Sequence, residues 1–430
     1  MENFVVAAKD LGHYDVVVCG GGIAGACAAI SSARNGAKTL IIERAGSLGG
    51  TLTEGFMPLI LDADNKGGLV VELYDFLNKH GMTCTRTGSR VDENGKRIPG
   101  RMVDTEGCKY FFDIASQEAG VEILFYSHIT AVSMDGNKIK NLLIATECGN
   151  YSVSAEIYID ATGNGSVAAL AGCDWECGDP HEGRPSPVST GACVVGLPKE
   201  DNGTVGAEGK AARWKLLAER GFAPSSEHIT VCKLPSLSTW CLSSNFEYDV
   251  MPDDILSLTR SALGGRSDAF KAAEAHRKVE GYEDLFTVFT SAHVGIREGR
   301  RIFGEYRITD DDILEGRRFE DGICLVTFGV DVHKLKATDT TECARGYRAQ
   351  PYHIPYRALL PKGVPNLMLA GRCISGDFYP HASYRVMGNM AATGEAAGFA
   401  AAECVKAGIA PNAFDGKKAR DFMASRGYEI

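Results

Sequence analysis

Two short stretches gather side chains able to move protons or hold an anion. SAHVGIREGRRIFGEY places His293, Arg297, Arg300 and Arg301 within nine residues. On a strand or an irregular segment, some of these converge on one side. A guanidinium fork matches the two oxygens of a carboxylate, so Arg297 and Arg301 are candidates for orienting a polar group. The competing use of these arginines is pairing with Glu298 and Glu305. CISGDFYPHASYRVMG holds Tyr379, His381, Tyr384 and Arg385, and FGVDVHKLKATDT holds Asp331 and His333. His381, Tyr384 or His333 could pass a proton to or from a reacting group. A lone histidine is more often a hydrogen-bonded structural residue, and Arg385 suits fixing its own loop as well as binding a ligand.

A third pattern concerns phosphates. Asp15 to Cys19 (DVVVC) is a β-branched run of the kind that forms a buried parallel strand. Gly20, Gly22 and Gly25 follow at G-x-G-x-x-G spacing. An Ala-rich helix is expected to about Asn35, with Gly36 at its C-terminal cap, then a strand over Lys38–Ile42 closing with Glu43. Gly20 permits the tight turn, Gly22 lets a pyrophosphate approach the backbone, and Gly25 lets helix and strand pack closely. The helix N-terminus faces the phosphates, and Glu43 can hold a ribose hydroxyl. Strand, helix, second strand and acidic terminus all stand at the offsets of a dinucleotide site.

The elements that would position these groups are spread along the chain. Gly49, Gly50 and Thr51 add a second glycine pair after the second strand. Residues 121–165 read as a small antiparallel meander, VEILFY included, with turns at Asp135-Gly136 and Gly149-Asn150. NLMLA (366–370) is another buried strand leading to Gly371 and Asp377. A helix rich in Gly and Ala is expected from Met387 to Ala407, its Gly394, Gly398 and Ala401 face packing against a sheet. The Pro-rich middle reads as a second domain or insertion. The expected organisation is 1–178 and 346–430 as two parts of one domain, with 179–345 as a substrate or cap domain.

Composition removes other classes. A chain of 430 residues with 44% hydrophobic and 23% charged residues has ordinary globular usage. Its net charge of -10 gives no support for nucleic-acid or anionic-membrane binding. No run approaches the roughly 20 apolar residues of a membrane helix, and MENFVVAAKD lacks a signal-peptide pattern. The 14 cysteines include no C-x-x-C pair, so no metal site is expected. Reduced structural thiols and a cytoplasmic location are the expectation.

These motifs resemble FAD-dependent oxidoreductases of the broad glutathione-reductase-like group, near the fumarate-reductase and heterodisulfide-reductase A types. The resemblance rests on CGGGIAGACAAISSARNGAKTLIIERAGSLGGTLT, IYIDATGNGSVAALAG, REGRRIFGEYRIT and YHIPYRALLPKGVPNLMLAGRCISGD with its trailing RVMGNMAATGEAAG. It implies an α/β fold with a Rossmann-like FAD-binding domain built from discontinuous segments and an α+β cap. It also implies that Gly20, Gly22, Ile23, Ala24 and Gly25 surround the FAD pyrophosphate, and that Glu43 holds the ribose beside Arg44. Gly49, Gly50, Thr51 and Leu52 would follow the diphosphate and flavin edge. Ile129 would meet the adenine through its backbone, and Ala161, Thr162 and Gly163 would line the crevice. Gly371 and Asp377 would lie near the ribityl chain and phosphates, with Asn389 and Met390 at the pyrimidine edge. A helix starting near Gly388 would aim its positive end there. No histidine adjoins Gly49-Gly50 in sequence, so noncovalent FAD is expected.

The function expected is hydride transfer between FAD and a small polar organic substrate. A monooxygenase or oxidase using oxygen is the first alternative, and a non-catalytic FAD-fold binding module the second. The electron partner and oligomeric state are not readable from sequence.

Overall fold

The computed structural model describes residues 5–91, 97–227, 229–236, 238–339 and 347–430. Strand β1 (Lys9–Cys19) ends in Val16–Cys19, fully buried between two parallel neighbours. A run buried on both faces has no need to alternate, which is why it is uniformly apolar. Gly20 then turns the chain with φ +97° into helix α1 (Ile23–Arg34). Gly36 takes φ +86° just past the helix, and β2 (Thr39–Ile42) pairs parallel with β1.

Helix α2 (Thr105–Ala119) is capped by the Asp104 carboxylate, which accepts from Gly107 N at 2.9 Å. It ends at left-handed Gly120 and leads into β3 (Glu122–Leu124), which pairs parallel with β2. VEILFY therefore does not belong to the antiparallel meander. A 15-residue helix precedes it, and a helical crossover returns the chain parallel rather than antiparallel. The meander is β4 (His128–Asp135), β5 (Lys138–Thr146) and β6 (Gly149–Asp160). Gly136 turns between the first two with φ +60°. The second turn lies at Glu147–Cys148, because Gly149 and Asn150 already pair in β6.

Strand β6 joins the two parts of the sheet. Its first residues pair antiparallel with β5, and its last pair parallel with β1 on one side and β11 (Leu367–Leu369) on the other. The order is β3-β2-β1-β6-β5-β4, with β11 on β6. Four antiparallel strands form a second sheet in the order β8-β9-β7-β10, namely β7 (Gly191–Val195), β8 (Thr230–Lys233), β9 (Trp240–Ser243) and β10 (Phe286–Thr290). Helix α3 (Ile255–Arg277) lays Ala269, Ala272 and Ala273 on its own apolar core with Val194, Val231 and Leu242. The expected boundary at 345/346 falls at residues outside those described, as does Cys343.

The C-terminal part adds helices α4 (Phe378–Tyr384), α5 (Met387–Ala407) and α6 (Gly416–Ser425). The small-residue face of α5 packs against α1, not against the sheet. A Cβ on Gly394 would overlap the Ala24 carbonyl oxygen, and one on Gly398 would overlap that of Ala28. Bulkier residues would push the helices apart, so glycine sets the interaxial distance. No helix among the described residues is long and apolar enough to cross a membrane. Gly398→Ala should destabilise the protein by about 1–3 kcal/mol, as overpacking in a close-packed core does, read as a lowered denaturation midpoint with unchanged slope.

Candidate FAD and substrate site

The three glycines of the first turn are glycines for different reasons. A Cβ on Gly20 would lie 2.7 Å from the Ala161 carbonyl oxygen, and one on Gly25 would overlap the Gly20 carbonyl. The protein itself demands both. A Cβ on Gly22 would meet nothing within 4 Å. Its missing side chain relieves no internal clash and keeps backbone N–H groups open at the start of α1, where a diphosphate fits. Ile23 and Ala24 are buried in the first turn of that helix.

Around this turn the other glycine loop closes. Gly49 N donates to Gly21 O at 2.8 Å, and Gly50 turns left-handed against Gly22. Thr51 is exposed on this loop, whereas Leu52 is fully buried in the core. The Glu43 carboxylate is buried and accepts from Gly21 N at 2.5 Å and Ala45 N at 2.8 Å. Each carboxylate oxygen has a second lone pair for a ribose hydroxyl. Arg44 is exposed beside it. Ser127 N donates to Glu43 O at 3.0 Å, which runs the segment entering Ile129 past this corner.

The far side of the crevice comes from the ends of β6 and β11. Asp160 holds Thr162 and the first turn of the next helix through Thr162 N, Thr162 Oγ1 and Ala168 N. This fixes Ala161–Gly163. Gly371 has φ +85° and approaches Ala24, and its N–H donates to Thr393 Oγ1 at 3.0 Å. Asp377 caps nothing with its side chain; it pairs with Arg307, which also holds Glu176. Asn389 and Met390 are buried at the start of α5, where Asn389 Nδ2 has no protein partner. One N–H of that helix end is already used, because Gly388 N donates to Leu61 O at 3.0 Å.

Arg372 is the residue that sequence reasoning missed. Its Nε donates to Gly163 O at 3.1 Å, its Nη2 to Asn164 Oδ1 at 2.6 Å, and its Nη1 to Ile296 O. It ties the crevice to the segment carrying the candidate arginines. The available signal was its position directly after Gly371, in the loop that leaves a buried strand.

The candidate arginines divide by partner. Arg301 is buried and pairs with Glu298 and with Glu176 at 2.9 Å, the structural use weighed for this segment; Arg300 likewise pairs with Asp253 at 3.1 Å. Arg297 donates to Pro187 O at 2.7 Å and lies 4.9 Å from the Phe246 ring centroid. Arg385 donates to Asp331 O at 2.7 Å and to Ser186 Oγ and Arg297 O, both at 3.2 Å. His381 is 1% exposed and its Nε2 has no protein partner. Burial, then Arg301, Arg385 and Arg372, drive its pKa well below 6.5, so the imidazole is neutral. Tyr384 donates to Ile374 O at 3.0 Å, and burial pushes its phenol far up. His333 sits 3.6 Å from Asp331 and against Phe246. Burial raises the Asp331 pKa, but His333, Arg385 and Arg297 more than offset this and hold it below the usual range.

His293, distant from Gly49-Gly50 in sequence, donates its backbone N–H to Glu54 O at 3.2 Å, just beyond that loop. The chain returning from β10 brings it there.

Gly22→Ala should leave folding stability within about 1 kcal/mol of the parent while sharply lowering the flavin retained through gel filtration. A second expectation concerns acid. Burial pushes His276 and His353 down to about 4, and His381 lies well below its ordinary value. Unfolded imidazoles bind protons near pH 6.5, whereas in the fold His276 and His353 stay neutral until about pH 4 and His381 resists protonation as well. The unfolded state thus takes up more protons in that window, and stability falls as pH drops below 6.5. The loss is up to ~1.4 kcal/mol per pH unit for each histidine. Denaturant unfolding at pH 7 and pH 5 reads this, with a smaller loss in His381→Asn.

Several known proteins are similar to this chain. A digeranylgeranylglycerophospholipid reductase of Methanococcus aeolicus is 28% identical over 164 residues, 37% of this chain and 41% of that protein. The match thus spans about two-fifths of the reductase's own length. An uncharacterized protein in the nifH2 5'region of Methanosarcina barkeri is 30% identical over 171 residues, 36% of this chain and 86% of that one. Among solved structures, a geranylgeranyl bacteriochlorophyll reductase-like protein from Thermoplasma acidophilum is similar with TM-score 0.47 and 14% identity, over 96% of this chain and 84% of that chain. The p-nitrophenol 4-monooxygenase of Pseudomonas putida has TM-score 0.49 and 12% identity, over 96% and 85%. The family model of the FAD dependent oxidoreductases matches residues 15–423, nearly the whole chain, and the protein belongs to that family of flavin-dependent enzymes.

Proposed function

We propose that this enzyme transfers hydride between FAD and a small polar organic substrate. The observation that carries the reading is the Arg372 bridge. One guanidinium hydrogen-bonds Gly163 and Asn164 on the nucleotide crevice and Ile296 beside Arg297. Cofactor loops and substrate candidates are thereby built as one unit. FAD, when bound, supplies the redox chemistry, and the chain supplies orientation and electrostatics.

In this reading Gly20–Gly25, Gly49-Gly50 and Glu43 hold the cofactor noncovalently, with Gly371, Asp377, Asn389 and Met390 along its ribityl and pyrimidine parts. Arg297 and Arg385 hold the substrate. Arg301 positions the site, because its charge is already met by Glu298 and Glu176. Tyr384 also positions, since its hydroxyl serves Ile374 O. The neutral His381 offers Nε2 to a polar substrate group, and His333 with Asp331 is the group better placed to exchange a proton with solvent.

The finer fold reading is a glutathione-reductase-type FAD domain from 1–178 and 346–430, with 179–345 as a cap. Pairing of β11 with β6 supports the discontinuous domain, and the separate apolar core of β7–β10 and α3 supports the cap. The reading names no substrate from the reductase relatives, whose match covers 37% of this chain.

The test is the visible spectrum of the purified protein before and after anaerobic chemical reduction. Bleaching of a flavin band, release of FAD on denaturation and slow reoxidation in air are expected. Reoxidation within the mixing time would favour the oxygen-using alternative. A protein that stays colourless after incubation with FAD would overturn the reading.

A further inference from the structure

Charge around His381 is unevenly shared. Glu298, Glu176 and Asp377 are gathered on Arg301 and Arg307. Arg297 and Arg372 touch no carboxylate among the described residues. The three hydrogen bonds of Arg372 go to neutral acceptors and fix a loop. Arg297 differs. One hydrogen bond to Pro187 O and one aromatic face occupy it, which leaves most of its five donors without a protein acceptor. Beside it, Arg385 has its nearest carboxylate, Asp331 Oδ2, at 3.7 Å, and Asp331 also serves His333.

Partly buried guanidinium groups close to one another repel, and an anion that meets both relieves this. Burial first, and then Arg385, lower the Arg297 pKa to about 10, which leaves it charged at neutral pH. In a chain of net charge -10, acidic residues are not scarce, yet the carboxylate that acts on Arg297 is Asp331, which Arg385 and His333 share. Arg297 and Arg385 with Asp331 leave one positive charge over, the complement of a monoanion.

We infer that the substrate carries a carboxylate, received by the paired guanidinium groups of Arg297 and Arg385, an inference that rests on the hydride-transfer reading for the substrate's role. Arg385 lies two residues before α5. A carboxylate held there is brought beside the helix end assigned above to the pyrimidine edge. The Phe246 ring under Arg297 also faces His333.

The test titrates the FAD-loaded protein with acetate, lactate and succinate, each against its neutral amide, and with phosphate and chloride. The readouts are the flavin difference spectrum and calorimetric heat. At least one carboxylate should bind saturably and at least about tenfold tighter than its amide. Arg297→Gln should weaken that binding about 10- to 100-fold, with Arg297→Lys between the two and FAD content unchanged. Should Arg297→Gln fail to fold, phenylglyoxal labelling of the parent protein replaces it, and the carboxylate should protect the Arg297 peptide. Equal affinity for acid and amide, tighter binding of phosphate or chloride, no carboxylate binding, or unprotected Arg297 would each overturn the inference. A flavin reduced only by neutral substrates sinks this inference and leaves hydride transfer standing. Carboxylate binding without any turnover does the reverse.

Discussion

Helix α1 is buried from Ile23 through Ser32 because its neighbours reach its backbone from two directions. On one side β1 and the Ala161 loop press on Gly20 and Gly25. On the other, α5 lays Gly394 and Gly398 against the carbonyls of Ala24 and Ala28. Residues more than 360 positions apart in sequence thus meet without side chains between them. The N-terminal end of α1 is held in place by that contact, and so is the start of α5. Loss of either glycine contact would shift both ends of the cofactor crevice together, since close-packed interiors transmit strain.

Polar fixings reinforce the same junction. Ser31 Oγ donates to Glu395 O at 2.8 Å, and the buried Glu395 carboxylate accepts from Leu69 N, Arg426 and Tyr428. That carboxylate reaches the start of another helix and the C-terminal tail at once. A buried charge satisfied by several donors is tolerable, and removing any one donor leaves it short. The arginine network on the opposite face obeys the same rule where Glu298 and Glu176 meet Arg301, but not at Arg297.

The β1-α1-β2 unit was legible because its meaning is local: strand, glycines, helix and acidic end follow within thirty residues. The terminal strand and α5 were legible for the same reason. What escaped was set by tertiary partners. Glu122–Leu124 is three residues long, too short for periodicity to tell a parallel edge strand from a meander strand. The partner of the α5 glycines was misjudged because a small-residue face fits a helix or a sheet equally well. An α+β cap was expected, but the individual strands β7–β10 were not placed, because they are four or five residues long and separated by loops and a 23-residue helix. Arg372 and His293 act through partners distant in sequence, which no local spacing reveals.

The division between the residues proposed to hold cofactor and those proposed to hold substrate is less sharp than a two-domain description implies. Between Leu367 and Met390 the chain supplies β11, which completes the sheet, then Gly371 at α1, Arg372 across the crevice, His381, Arg385 and the start of α5. Pairing of Leu367–Leu369 with Tyr158–Asp160 therefore does more than extend a sheet. It delivers the guanidinium of Arg372 to Gly163 and that of Arg385 to Asp331 from one anchored segment. A chain that has closed its sheet has, by the same step, assembled both halves of the candidate site, so the geometry of those side chains inherits the rigidity of the core rather than that of a surface loop.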